Sequence, residues 1–299
     1  MHTRHPSVVA LLEAEATDQP FVAIRRRARA VVATAFALGW EGPPFELDDL
    51  ASLRGLTVAM SRDLAPDQDA CVMPSRVLVN ANKPRVRQRY SVAHEVAHTL
   101  FPDYEAELRR AGQLWRREGD NTELEALCQA AASEFIMPRD AFVAAAARSG
   151  STISGVIAIS RQFDASPEAA ARRLAETTRD DMATVVVRPI DPTTGDWLAC
   201  APSDAHAPFA PLAVSLVVPS STGEPMAGGR RVPPPMKCVA EKAWKRVRLA
   251  GCTIMIQKSD AEDWTCVGLP GVWCAEAVTL PLVSTSPGQV ICLLTRPQS

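Results

Sequence analysis

The stretch Arg89-Tyr90-Ser91-Val92-Ala93-His94-Glu95-Val96-Ala97-His98-Thr99-Leu100 decides how the rest of the chain is interpreted. Apolar residues recur every three or four positions here, which predicts an amphipathic helix over roughly 86–101. His94 and His98 would lie one turn apart on it, so both imidazoles can reach one ion at about 2.0–2.1 Å. Glu95 points further round the helix, where it can reach a water at the metal without being a ligand. The pattern predicts a zinc site; a surface helix that carries these residues by chance is the alternative.

The third ligand is sought on the next predicted helix, over residues 122–137. Catalytic zinc sites usually have three protein ligands and leave a fourth position for water. Glu125 shares a helix side with apolar residues, whereas Glu123 and Glu134 lie outside that apolar arc. A carboxylate beside a buried face needs a positive partner, and a metal ion is one. Glu125 is therefore the predicted third ligand, with a salt bridge to an arginine as the alternative.

The residues around this site resemble the ImmA/IrrE family of zinc metallo-endopeptidases. The likeness covers roughly residues 44–178. Gln129 stands where that family usually has Asn, and Ala131 where it has Phe. The motifs that carry the resemblance are Arg89–Leu100, Glu125–Cys128 and Phe135–Pro138.

The resemblance implies a zinc-dependent endopeptidase. His94, His98 and Glu125 would bind Zn²⁺, and Glu95 would be the catalytic acid and base. The implied substrate is a helix-turn-helix repressor protein, whose cleavage would induce a stress, DNA-damage or anti-phage response.

Three further expectations concern the surroundings of the site. A substrate strand is expected beside a sheet edge, with Arg76–Asn82 as the floor of the cleft. Tyr104 is a candidate donor to the oxyanion, and packing is its other explanation. Cys71 is a candidate inhibitory thiolate that would occupy the open zinc position, and an ordinary strand cysteine is the alternative.

The predicted fold class is α+β. It consists of a zincin-like metallopeptidase domain over residues 1–142, a helix-turn-helix-like helical segment over 143–180 and a smaller α/β domain over 181–299. The strands of that last part, with one helix among them, resemble the GAF-like domain that some IrrE-type proteins append, which implies a sensory or regulatory module. Near the N-terminus we expect one helix over 7–39, with Arg25–Arg29 on its solvent side.

A second function class is a DNA-binding transcriptional regulator with a structural zinc site. Residues 153–163 and 167–177 predict two helices joined by a tight turn, which is the outline of a helix-turn-helix. The basic residues that this segment would offer to DNA are Arg161, Arg172 and Arg173. A scaffold role for the segment is the alternative.

Single-stranded DNA is a candidate activator of the peptidase. The predicted helix Lys237–Leu249 places Trp244 among basic residues, a combination that suits stacked bases and phosphates. A solvated helix face explains the same pattern. The basic residues are Lys242, Lys245, Arg246 and Arg248.

Composition limits the remaining possibilities. The 299 residues include 32 Lys and Arg against 34 Asp and Glu, which excludes a polycation, and an apolar share of 47% excludes a disordered chain. Eight cysteines without a CxxC pair favour reduced thiols. No window reaches the roughly 18 apolar residues of a membrane span. We therefore expect a cytoplasmic protein with no membrane partner, and its oligomeric state stays open.

Overall fold

The computed structural model describes residues 4–106, 122–191, 193–197, 211–222, 226, 232–250, 256–280 and 288–297. The chain divides into two compact units. Unit 1 comprises Met1–Phe142 and Arg161–Ser166, and unit 2 comprises Val143–Ser160 and Pro167–Ser299. Helices and a small sheet in unit 1 and a larger sheet in unit 2 confirm a mixed α+β fold.

Unit 1 begins with two helices where the sequence predicted one over 7–39. Ala16 has a left-handed backbone, with φ of 48°, and ends the first helix. Pro20 then occupies the first position of the second helix, where its missing N–H costs nothing. The helices described in this unit are α1 (Pro6–Glu15), α2 (Pro20–Ala37), α3 (Leu47–Leu53), α4 (Arg85–His98) and α5 (Thr122–Ile136), and α6 (Arg139–Ser149) begins here.

The small sheet contains β1 (Thr57–Ser61), β2 (Ala70–Met73) and β3 (Arg76–Asn80) in the order β1-β3-β2. The central strand β3 pairs in parallel with β1 and antiparallel with β2. Arg76–Asn82, the predicted floor of the cleft, is therefore not itself an edge strand, because both sides of β3 are already paired. The edge strand that packs against α4 is β2, which the sequence analysis did not predict.

Two arginines hold the C-terminal end of α4. Arg54 donates from Nε to Thr99 Oγ1 at 2.9 Å and from a terminal nitrogen to the Thr99 carbonyl at 2.7 Å. Arg27 donates to the Leu100 carbonyl at 2.7 Å. Positive charge at this end of a helix is favourable, because the last carbonyls lack partners within the helix. Arg27 thus does not lie on the solvent side as expected.

The N-terminal half of α4 is fixed by Arg89, whose side chain is buried. One guanidinium nitrogen donates to the Phe45 carbonyl at 2.8 Å, and Nε lies 3.6 Å from a carboxylate oxygen of Asp164. Asp164 also pairs with Arg85. Both ends of α4 are therefore held by side-chain contacts, which fix the orientation of the helix and of the side chains between its ends.

Unit 2 is built on a five-stranded antiparallel sheet in the order β5-β4-β8-β7-β6. The strands are β4 (Met182–Pro189), β5 (Leu212–Pro219), β6 (Ile256–Trp264), β7 (Leu269–Leu280) and β8 (Gln289–Thr295), and the helices are α7 (Ile153–Gln162, which ends in unit 1), α8 (Pro167–Thr177) and α9 (Val239–Ala250). The sequence also predicts a strand over 253–256, and these residues lie mostly outside the described part of the chain.

The helix-turn-helix outline exists, but α8 packs on the sheet. Its Ala171 carbonyl accepts a hydrogen bond from Thr184 of β4 at 2.7 Å. Arg173, one of the three predicted DNA contacts, is 1% exposed and pairs with Glu176 at 3.2 Å. A buried ion pair cannot reach a DNA backbone, so this arginine serves the fold.

Helix α9 packs on the opposite face of the same sheet. Ala183, Val185 and Val187 of β4 point towards it, and they alternate with residues that face α8. Trp244 is 4% exposed within this core. The prediction that Trp244 stacks on bases is therefore wrong, whereas Lys242 and Lys245 are exposed.

No helix among the described residues combines the length and the apolar character that crossing a membrane would require. The six described cysteines form no disulfide, and Cys200 and Cys252 lie outside the described residues.

The buried ion pair of α8 gives the first test. Arg173→Met should lower the free energy of unfolding by about 3 kcal/mol, because it leaves Glu176 buried without its partner. Arg172→Met, at the half-buried neighbouring position, is the matched control and should change stability far less. Urea unfolding followed by circular dichroism measures both. Equal stability of the two variants would contradict the buried pair.

Candidate metal centre

Three predicted ligands meet between α4 and α5. His94 Nε2 lies 3.3 Å from His98 Nε2 and 3.1 Å from a carboxylate oxygen of Glu125, and His98 Nε2 lies 4.0 Å from the other oxygen. The two imidazoles are one turn apart on α4, and Glu125 is in the first turn of α5. One ligand atom from each residue falls within 4.8 Å of the others, which makes this a candidate metal site.

The spacing of these donors fits a small tetrahedral ion. Two ligands at about 2.05 Å from a tetrahedral zinc lie about 3.3 Å apart, and the two Nε2 atoms are separated by 3.3 Å. Two imidazoles and one carboxylate are also a donor set of catalytic zinc enzymes, in which the fourth position belongs to water. The residues present therefore fit zinc.

The electrostatics hold the ligands in the forms that bind a cation. Burial, with a smaller contribution from His94 and against an opposing influence of Glu125, lowers the pKa of His98 to about 4. The hydrogen bond from His94 lowers the pKa of Glu125. At neutral pH His98 is thus a neutral imidazole and Glu125 a carboxylate, so no proton has to leave these two before a metal binds.

Glu95, the predicted acid and base, is 3% exposed. The sequence predicted that α4 borders the core with one apolar stripe, yet the whole run Ser91–Ala97 is buried. The helix is enclosed by α3, α5, β2 and β3 rather than lying at an edge. Low solvent access strengthens the interaction of Glu95 with any charge that develops beside it.

The other acidic residues of α5 have ordinary partners. Glu134 was expected outside the apolar arc but is 1% exposed, with Arg29 at 3.4 Å and the Arg139 amide donating to it at 2.8 Å. Glu123 pairs with Arg4 at the surface. Of these carboxylates, Glu125 is the one that faces the histidines.

The two weaker candidates are not part of the ligand cluster. Cys71 is buried in β2, opposite Leu78 of β3, and the described cluster of metal-ligating side chains does not include it. The Tyr104 hydroxyl is covered by protein and has no hydrogen-bond partner among the described residues. Burial, together with the charge of Glu95, raises the pKa of Tyr104 to about 12. Tyr104 is therefore protonated and near the site, and its oxyanion role stays a prediction.

Three supports of the site could not be expected from the spacing of the ligands alone: Arg27, Arg54 and Cys128. Arg27 and Arg54, which hold the end of α4, could not be found from spacing, because their contacts join distant segments. Cys128 lies 3.5 Å from His98 Nδ1. Its position three residues after Glu125, on the same side of α5, was a visible signal.

A helix that carries HExxH, with a carboxylate supplied by a following helix, is an arrangement typical of metal-dependent peptidases. Residues 56–175 match the family described as Peptidase_M78, IrrE N-terminal-like domain. The chain therefore contains an IrrE N-terminal-like domain of the M78 peptidase family, which includes all three predicted ligands and Glu95.

One solved structure with a related fold is described as a Mycobacterium tuberculosis transcriptional regulator. The sequences are 14% identical, and the TM-score is 0.59 over 90% of this chain and 75% of that chain. At this identity the likeness concerns the fold alone. No curated protein matches the sequence.

Metal analysis tests the site directly. The purified protein should hold about one zinc per chain, and Glu125→Ala should lose most of it, because one of three protein ligands is removed. Glu123→Ala, on the same helix turn but paired with Arg4, is the matched control and should keep the metal. Equal zinc content in the two variants would refute the assignment of Glu125.

Proposed function

We propose that this protein is a zinc-dependent endopeptidase that cleaves a protein partner, a helix-turn-helix transcriptional repressor. The observation that carries the proposal is the convergence of two imidazole nitrogens and the Glu125 carboxylate beside the buried Glu95. The M78 domain over residues 56–175 supports the reaction class. The repressor as substrate, and a stress, DNA-damage or anti-phage role, rest on the family resemblance.

The proposed mechanism assigns one task to each side chain. His94, His98 and Glu125 would hold zinc, which when bound supplies a Lewis acid for the scissile carbonyl and lowers the pKa of water to about 7. The Glu95 carboxylate takes the proton of the attacking water and then delivers it to the leaving amine nitrogen. Because Glu95 is 3% exposed, bulk water competes little for that proton.

The sheet offers a place for the substrate backbone. Strand β2 packs against α4, and in the described part of unit 1 no strand pairs with its outer side. An extended peptide can add to such an edge through main-chain hydrogen bonds. We propose that the cleaved segment binds along the edge strand Ala70–Met73 and not along the central strand Arg76–Asn80.

We also propose that residues 181–299 form a domain that regulates the peptidase. It would follow the peptidase domain over 1–142 and the helical segment over 143–180. The sheet is antiparallel with the order β5-β4-β8-β7-β6, and α9 follows β5 and precedes β6 in the sequence. This arrangement supports a GAF-like module. The burial of Trp244 removes one argument for single-stranded DNA as its activator. Lys242 and Lys245 are exposed, and the side chains of Arg246 and Arg248 lie outside the described part of the chain.

Cleavage of a partner tests the central activity. When the protein is co-expressed with the repressor encoded beside it, we expect repressor fragments that Glu95→Gln abolishes, since the proton acceptor contributes about 10²–10⁴-fold to the rate. Glu123→Gln, a surface change, should leave cleavage intact. Immunoblotting and mass spectrometry of the fragments detect both results. Continued cleavage by Glu95→Gln, with its metal bound, would overturn the mechanism.

A transcriptional regulator with a structural metal is the second candidate, favoured by the description of the mycobacterial protein of similar fold. Gel-shift assays with promoter DNA distinguish the two. Because Arg173 is buried, we expect no specific shift through α8. A shift that Arg172→Glu abolishes and Glu95→Gln leaves unchanged would instead establish the regulator.

A further inference from the structure

The outward nitrogen of His98 has an unusual neighbour. His98 Nε2 faces His94 and Glu125, whereas Nδ1 lies 3.5 Å from the Cys128 sulfur. Cys128 is fully buried and follows Glu125 by three residues, so it lies almost one turn further along the same side of α5. Helix α5 thus places the Glu125 carboxylate near Nε2 of His98 and the Cys128 thiol near Nδ1 of the same imidazole.

The tautomer of a metal-binding imidazole determines which atom of this contact is the donor and which is the acceptor. A neutral imidazole carries one N–H, and a ring that offers the Nε2 lone pair to a metal must carry its proton on Nδ1. The contact is then Nδ1–H donating to Sγ. Metal-bound histidines almost always donate this proton to an acceptor that fixes the ring, most often a carboxylate or a carbonyl.

We propose that Cys128 is a positioning residue of the metal site, whose sulfur accepts the Nδ1 proton of His98 and holds the ring in the orientation and tautomer that bind the metal. The inference rests on the proposed function of the cluster as a metal site, not on peptidase activity. Sulfur is a weak acceptor, so Cys128 fixes the ring while adding less electron density to it than a carboxylate would.

The two histidines are held differently. His94 Nδ1 is buried and has no hydrogen-bond partner among the described residues, and its ring packs against Tyr90 at a centroid distance of 5.9 Å. The ring of His94 is 11% exposed and that of His98 is 21% exposed. Of the two ring Nδ1 atoms, the one of His98 therefore has a hydrogen-bonding neighbour among the described residues, and that neighbour is Cys128.

The test measures zinc affinity by competition with a chromophoric chelator. Cys128→Ala and Cys128→Val both remove the sulfur that accepts the hydrogen bond. Alanine leaves the volume of the thiol empty, whereas valine fills it, and both variants should bind zinc about 10- to 100-fold more weakly. Cys128→Ser keeps an acceptor and should recover most of the affinity. Cys71→Ala removes the other described cysteine of unit 1 and should bind zinc like the wild type.

Two further readouts separate positioning from packing. In the zinc-bound wild type, NMR should show His98 protonated at Nδ1, with slow exchange of that proton, and in Cys128→Val the exchange should become fast. The melting temperature of the metal-free variants reports packing alone. Weaker zinc binding by Cys128→Val with an unchanged metal-free melting temperature supports the proposal.

The possible failures are distinguishable. Wild-type affinity in both Cys128→Ala and Cys128→Val would overturn the positioning role and leave the peptidase proposal standing. A wild type that binds zinc with this dependence on Cys128 but cleaves no repressor would overturn the peptidase proposal alone. A wild type that binds no zinc would overturn both.

Discussion

The site depends on the packing of α4 against α5, which brings two imidazole nitrogens and one carboxylate oxygen to within 4.8 Å of one another. The His94 and His98 Nε2 atoms are 3.3 Å apart, and Glu125 is 3.1 Å from the first. Glu125 is partly withdrawn from water here, and a bound cation would offset the cost of desolvating its carboxylate. The arginines at the end of α4 fix this geometry.

The placement of the two histidines could be predicted from the sequence because helical spacing alone determines it. The four-residue separation of His94 and His98 places both rings on one side of any helix. Burial beside an apolar face does not by itself select Glu125 as the ligand. Glu134 is also buried, at 1% exposed, and its charge is paired with Arg29. The spacing identified the histidines; the packing of two helices was needed to select the carboxylate.

Features that depend on tertiary packing were not predictable in the same way. Arg76–Asn80 has the same sequence pattern whether it is an edge or a central strand, and β2 decides the matter by pairing with it. Arg173 and Trp244 have residue types common at nucleic-acid interfaces, but both are buried around the sheet of unit 2. Residue type indicates what a side chain can bind, whereas burial determines whether a partner can reach it.

Zinc K-edge X-ray absorption of the protein loaded with one equivalent of zinc tests the central claim most directly. The account predicts two imidazole nitrogens and oxygen neighbours at about 2.0–2.2 Å, with no sulfur bound to the ion. A sulfur neighbour at about 2.3 Å would contradict it, because the ion would then be bound by Cys71 or Cys128 rather than held by His94, His98 and Glu125 with a position open to water.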